Sequence, residues 1–322
     1  MLKKKKTKVL ITGAGGFIGH HLVNFLKKKG YWVRGVDIKY PEFNQSTADE
    51  FIIADLRYLK NCLKVTKDIE EVYNLAADMG GMGFISKEHV APLYNSNLIS
   101  TYTLEASYRN NVKRYFFSSS VCVYPVFKQN SLRVNVLKEE SVYPAMPNQA
   151  YGWEKLIHEI RCLNYYKTYG LEVRIARFDN TYGPEGTYKG GREKAPAALC
   201  RKVAEAKDRD RIEIWGDGKQ TRSFMYVEDC VNGINKLMRS DFREPLNLGS
   251  DEVVSIDELA KIIIKASGKK LKIKHVEGPQ GVRSRYIDHT KAEKILKWKA
   301  KTSLEEGIRK TYKWIESNQF SM

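Results

Sequence analysis

The sequence is poor in residues that staple or anchor a chain. Its 322 residues include only five cysteines: Cys62, Cys122, Cys162, Cys200 and Cys230. The odd number, scattered spacing and lack of any paired motif argue for free thiols, against a disulfide frame and against a zinc site, so no metal is expected. No apolar run approaches the length that crosses a bilayer, so no membrane span is expected. The opening MLKKKKTKVLITG has no signal-peptide core or small-residue cleavage site, and the reading is a cytoplasmic protein. Acidic residues are also short: 38 Asp and Glu stand against 55 Lys and Arg, a net charge of +17. That balance suits nucleic acid, a membrane surface or anionic substrates. The lysines are spread along the whole chain without an arginine–aromatic stripe, so nucleic acid is not expected as a partner. Lys3 to Lys6 read as a solvated tail. What remains, 42% hydrophobic and 29% charged, is ordinary globular composition. The length suits one large α/β domain or a core domain with a smaller companion.

The stretch KVLITGAGGFIGHHLVNFLKKKGYWVRGVDI reads as strand, glycine turn, helix and strand. Gly13, Gly16 and Gly19 are spaced for a tight turn, close approach of backbone to a pyrophosphate, and close packing of helix on strand. Phe17 and Ile18 open the helix, whose amide donors and dipole face an anion. Asp37, closing the second strand, is placed for the adenosine ribose hydroxyls and repels a 2′-phosphate, which favours NAD over NADP. Further strands are expected at 51–57, ending on Asp55 near the adenine, and at 70–77, which contains Ala76. Others are expected at 112–124 and 171–183. Strands alternating with helices imply a parallel, doubly wound sheet.

Chemistry gathers after the fifth strand. SSSVCVYP places Ser120 and Cys122 at the carboxyl edge of the sheet. AYGWEKL sets Tyr151 and Lys155 four apart on one helical face, where the lysine is expected to lower the phenol's pKa and make it a base. Spacing alone leaves Cys122 open between a proton carrier and a small buried hydrophobe. TYGPEGTYKGGREKAPAALCRKV offers Lys189 and Lys194 as cations, with Lys194 a second acid/base. Arg222 and Arg285 are forks suited to a diphosphate.

TGAGGFIG, Asp37, the NLAA strand end and the Tyr151/Lys155 pair resemble the extended short-chain dehydrogenase/reductase superfamily, whose members modify nucleotide sugars. NLAADMGGMGFI, SSSVCVYP, GTYKGGREKAPAA, WGDGKQTRSF and DFREPLNLGSDE resemble, more narrowly, its GDP-mannose 3,5-epimerase family, over about residues 8 to 315. The resemblance implies a Rossmann-type fold with bound NAD and GDP-mannose as substrate. It also implies oxidation at carbon 4, epimerisation at carbons 5 and 3, and re-reduction to GDP-L-galactose with GDP-L-gulose beside it. Tyr151, Lys155 and Ser120 would serve the redox step, and Cys122 and Lys194 the proton exchange. The substrate contacts it implies are Gly80, Gly81 and Met82 in the loop beside the hexose, Ser120 and Cys122, and Asn180 near the diphosphate. Glu193, Lys194 and Ala195 would lie over the sugar, and Lys202, Gln220, Thr221, Arg222 and Arg285 at the nucleotide. Gly80, Gly81 and Gly83 are expected to present backbone to a ring that changes shape. Two departures stand out: Asp179 where plant members carry histidine, and Trp153 where they carry a smaller apolar residue. The alternative is an epimerase/reductase like GDP-L-fucose synthase, or another nucleotide-sugar epimerase. Asp37 and Lys194 argue against the fucose-synthase type.

The expected domains are discontinuous: 1–178 plus 222–248 for the dinucleotide, and 179–221 plus 249–322 for the nucleotide sugar, with the ligand in the cleft. A homodimer is expected, through the Tyr151 helix and the helix near 95–110.

Overall fold

The computed structural model describes residues 6–132 and 135–319. Of the expected basic tail, Lys3 to Lys5 lie outside the described residues. Seven parallel strands form the main sheet, in the order Leu246–Leu248, Glu172–Phe178, Arg114–Ser120, Glu71–Asn74, Lys8–Thr12, Trp32–Asp37, Glu50–Ile53. Apolar residues fill both faces. Val9, Ile11, Tyr73 and Phe116 pack beneath the helices Phe17–Lys28 and Val227–Arg239. Leu10, Val72, Tyr115 and Val173 pack on the other side, where Leu59–Thr66, Val90–Arg109 and Gln149–Tyr169 lie. Strand order reverses at Lys8–Thr12, which has its sequence neighbours on one side and the later strands on the other. That reversal opens a crevice at the carboxyl edge of the sheet.

A second core holds Tyr188, Leu199, Val203, Phe224, Leu259 and Ile308 under the helices Ala195–Glu205, Ile256–Ser267 and Leu304–Gln319. The middle helix starts at a capping box, with Ser255 Oγ accepting from the Glu258 amide (3.1 Å) and Glu258 Oε2 accepting from the Ser255 amide (2.7 Å). Its sheet pairs Thr221–Tyr226 with Val253–Ser255, Ser284–Ile287 and Asn180–Tyr182.

Four expected strands are shorter. The third ends at Ile53, because Asp55 turns back to bind Arg57, and the fourth ends at Asn74. The fifth stops at Ser120, where its hydroxyl accepts from the Cys122 amide (3.2 Å) and turns Val121–Val123 into a 3-10 turn. The sixth breaks at Asp179. Phe178 still pairs in the large sheet, whereas Asn180 pairs with Phe224 in the second. No described helix is long and apolar enough to cross a membrane.

Candidate active site

The glycine loop leaves Lys8–Thr12 and enters the helix at Phe17, Ile18 and Gly19, with Gly16 in the N-cap position. Asp37 closes the next strand. Its Oδ2 accepts from the Gly15 amide (2.9 Å) and its Oδ1 from the Ile38 amide (2.7 Å). Burial pushes this carboxyl upward and the amide bonds oppose it. Ala76 is fixed by its amide, which donates to Thr12 Oγ1 (3.2 Å) beside Gly13. A carboxylate locked to the glycine turn, beside open helix amides, fits a dinucleotide's ribose and diphosphate. Asp55 is engaged by the Arg57 guanidinium, which holds its carboxyl below the ordinary value.

Tyr151 and Lys155 lie one turn apart on the Gln149–Tyr169 helix, both buried. The expected lowering of the phenol's pKa is not what the structure gives. Burial pushes Tyr151 well up, with Cys122 and Glu154 adding to the rise and a hydrogen bond with Ser120 opposing it. The lysine's charge is partly spent elsewhere: Nζ lies 3.6 Å from the buried Glu154 carboxylate and 5.6 Å from the Tyr151 ring centre. Gly152, between them, lets the helix press on the thiol turn, because a Cβ there would stand 2.3 Å from the Cys122 carbonyl oxygen.

Cys122 faces this helix from its turn, and Arg285 donates to its sulfur through Nη1 (3.5 Å). Arg285 is held by Gln129 Oε1 (2.6 Å), and its Nη2 is buried without a protein partner. Lys194 precedes the Ala195–Glu205 helix, so Ala195 is the first helical residue. Burial pulls the Lys194 amine below its usual pKa, while Cys122, Cys230 and Asp179 pull it back up. The structure thus groups Tyr151, Ser120, Cys122, Lys194 and Arg285. Arg222 joins them, its guanidinium pushed down to about 9 by burial and by Arg285. Gln220 Oε1 and Thr221 Oγ1 are further buried atoms without a protein partner. Asn180 donates to the Ser223 carbonyl (3.1 Å) and to Asp179 (3.3 Å). Glu193 lies 3.5 Å from Arg201. Lys202 stands apart from the thiol group, donating to the Glu213 carbonyl (2.6 Å) over the Trp215 ring.

In the glycine–methionine loop the missing side chains at Gly80 and Gly81 make room for neighbouring protein. A Cβ on Gly81 would stand 2.1 Å from the Glu193 carbonyl oxygen, and one on Gly80 2.8 Å from Phe84. The loop is pinned to the lysine segment by the Gly81 amide on the Arg192 carbonyl (2.9 Å), and the Met82 sulfur reaches Gly281. Sequence reading passed over Gly15, Gly152, Glu154 and Gln129. Of these Gly15 lay within the glycine turn and Gly152 stood out as a glycine inside a helix, whereas Glu154 and Gln129 left no signal.

Among the described residues no group of three or more His, Cys, Asp or Glu side chains is placed to hold a metal. A family model described as the NAD dependent epimerase/dehydratase family matches residues 9–249. The chain is 50% identical over 314 residues to GDP-mannose 3,5-epimerase 1 of Oryza sativa subsp. indica, covering 97% of this chain and 82% of that protein. It is 50% identical over 311 residues to GDP-mannose 3,5-epimerase of Arabidopsis thaliana, covering 96% and 82%. Among solved structures it is similar to UDP-glucose 4-epimerase with UDP-glucose from Thermotoga maritima, at a TM-score of 0.85 and 26% identity, covering 97% of this chain and all of that one. UDP-glucuronic acid 4-epimerase from Bacillus cereus, in complex with UDP-glucuronic acid and NAD, gives a TM-score of 0.83 and 27% identity over 97% and 100%. The chain belongs to the NAD dependent epimerase/dehydratase family.

Proposed function

We propose that the chain is a GDP-mannose 3,5-epimerase, converting GDP-D-mannose to GDP-L-galactose, with GDP-L-gulose formed when carbon 5 alone inverts. The supporting observation is the cleft that brings a thiol and a down-shifted lysine, Cys122 and Lys194, to the Tyr151–Ser120 pair. Inverting carbon 4 alone asks for no such second pair. Half identity to the plant epimerases over nearly the whole chain supports the same reading.

NAD, the cofactor of this family, supplies reversible hydride removal at carbon 4 and hence a transient ketone. The glycine loop, Asp37 and Lys155 are the residues to hold it. Tyr151 takes the proton of the 4-hydroxyl, which Ser120 helps to hold, and returns it at the end. Burial favours the protonated phenol. Lys155, one turn along the same helix, is the side chain placed to favour the phenolate once the site is filled. A carbon-4 ketone acidifies the hydrogens on carbons 3 and 5. Cys122 and Lys194 then act from opposite faces, one removing a proton and the other delivering one. Arg285 and Arg222 take the diphosphate, with Asn180 beside it. Gln220, Thr221 and Lys202 take the nucleoside, and Glu193, Ala195, Gly80, Gly81 and Met82 close over the hexose. The chain divides as 1–178 plus 222–248 for the dinucleotide and 179–221 plus 249–322 for the nucleotide sugar, and it works in the cytoplasm.

We propose a homodimer through the helices Val90–Arg109 and Gln149–Tyr169. Trp153, Ile157 and Ile160 lie at helical spacing on one face, each more than 40% exposed, and Tyr94 on the first of these helices is exposed as well. Such a stripe is what a four-helix contact would cover.

The test is incubation with GDP-mannose in D2O without added cofactor, followed by NMR. The expected result is deuterium at carbons 3 and 5 and the appearance of GDP-L-galactose. No exchange at either carbon, with NAD bound and the protein folded, would overturn the substrate and send the search to UDP- and dTDP-sugars.

A further inference from the structure

The segment after Asp37 does not simply return to the next strand. It crosses the mouth of the dinucleotide cradle and fastens onto the other body of the protein. Tyr40 stacks on Phe51 (centroids 5.0 Å) where the crossing begins, and Thr47 donates to Asn24 (2.6 Å) where it ends. Between them Asn44 donates to Glu185 (2.6 Å), and Phe43 enters an aromatic cluster. Phe43 stacks on Tyr188 (5.9 Å) and meets the edge of Trp314 (4.7 Å), and Tyr188 meets Trp314 at 5.7 Å. Tyr188 belongs to the second core, and Trp314 packs against it, as does Phe43 although it comes from the loop between two strands of the first sheet. Glu185 is the other anchor. It holds His20 at 3.1 Å, from the helix that follows the glycine loop, and it sits at φ 63, a left-handed conformation that a glutamate adopts only at a cost. Under this crossing lies a cavity with Gly15, Gly16 and His20 on one side and Phe43, Asn44 and Glu185 on the other.

We propose that residues 40–47 are a clasp that keeps the dinucleotide in its cradle from one turnover to the next, with Phe43 and Trp314 as its positioning residues. The inference rests on the proposed reaction for its purpose, since a cofactor restored within each cycle has no need to leave. Its geometry does not depend on that reaction. A dinucleotide held at the glycine loop and Asp37 has its adenosine half beneath the clasp, and leaving requires Phe43 to withdraw from Tyr188 and Trp314. Trp314 touches the clasp and does not line the cavity, so its effect must pass through Phe43.

The experiment uses NAD-loaded enzyme and an excess of an NAD-destroying glycohydrolase that traps whatever is released. Phe43→Ala and Trp314→Ala are expected to release NAD about tenfold faster than the unchanged protein, the scale of one lost aromatic contact. Trp314→Phe is expected to restore much of the retention. Melting temperatures with and without NAD separate this from general loosening: a clasp variant narrows the gap between the two states, whereas a purely structural defect lowers both equally. If Trp314→Ala does not fold, Asn44→Ala, at an exposed site, is expected to raise release through loss of the Glu185 bond. Release rates within about twofold of the unchanged protein in every folded variant would overturn the clasp. Faster release in a protein that does not epimerise GDP-mannose would leave the clasp standing and remove the proposed reaction. Unchanged release in a protein that does epimerise would do the reverse.

Discussion

In the proposed mechanism Lys194 trades stability for chemistry. An amine whose pKa burial has lowered binds its proton less well in the fold than in the unfolded chain, so at neutral pH the charged form weakens the fold. The unfolded state binds more protons between the lowered value and the ordinary 10.5, so stability rises with pH across that window. Lys194→Met should therefore stabilise the protein by about 0.5–1 kcal/mol at pH 7 while abolishing epimerisation. The gain should shrink as pH approaches 10.5. Urea denaturation at neutral and at alkaline pH checks this, and a gain that does not change with pH would mean that packing, not charge, is responsible. Tyr151 makes a related point. Its spacing from Lys155 was legible because both lie on one helix turn. Its pKa was not, because that depends on burial and on a neighbour, Glu154, which reads in the sequence as one more solvated acid.

At the scale of elements, the site depends on how closely the tyrosine helix approaches the thiol turn. Besides the tight contact at Gly152, the Asn148 amide donates to the same Cys122 carbonyl (3.2 Å). Gly152→Ala must push the helix and the turn apart, and a displacement near 1 Å at a reacting group costs about 100-fold in rate. The expected outcome is a kcat for deuterium exchange lower by about that factor, with NAD content unchanged after gel filtration. A kcat within about threefold of the unchanged protein would show that the contact is slack. The same scale explains which elements could be read in advance. The first βαβ unit was clear because its signals are local: an apolar strand, a glycine turn and a helical period. The end of the strand at Phe178 was not, although the expected domain boundary falls there, because nothing local ends a run like LEVRIARFDNTYG. The strand stops there because Thr221–Tyr226, some forty residues later, offers the second half a different partner. The clasp was hidden for the same reason, as Phe43 acquires its role only from Trp314.

At the scale of the whole molecule, the exposed stripe on the tyrosine helix is the surface that the proposed dimer would cover. Trp153→Asp combined with Ile157→Asp should convert a dimer to a monomer in sedimentation, because two charges would have to be buried in the contact. A monomeric unchanged protein would remove the proposed interface. The two bodies of the molecule are joined by more than a cleft. The chain steps from one sheet to the other within a single residue at Asp179, the clasp ties the first sheet to the last helix, and Arg285 reaches the thiol turn from the second sheet. That last contact bears on how the protein is made. A ribosome delivers residues in order, and the seven strands of the large sheet are complete once Leu248 has emerged. Arg285 emerges later, and until it does the Cys122 sulfur lacks its guanidinium partner. The nascent chain can thus build its cofactor half first, and the Cys122 thiol acquires its setting among the last acts of folding.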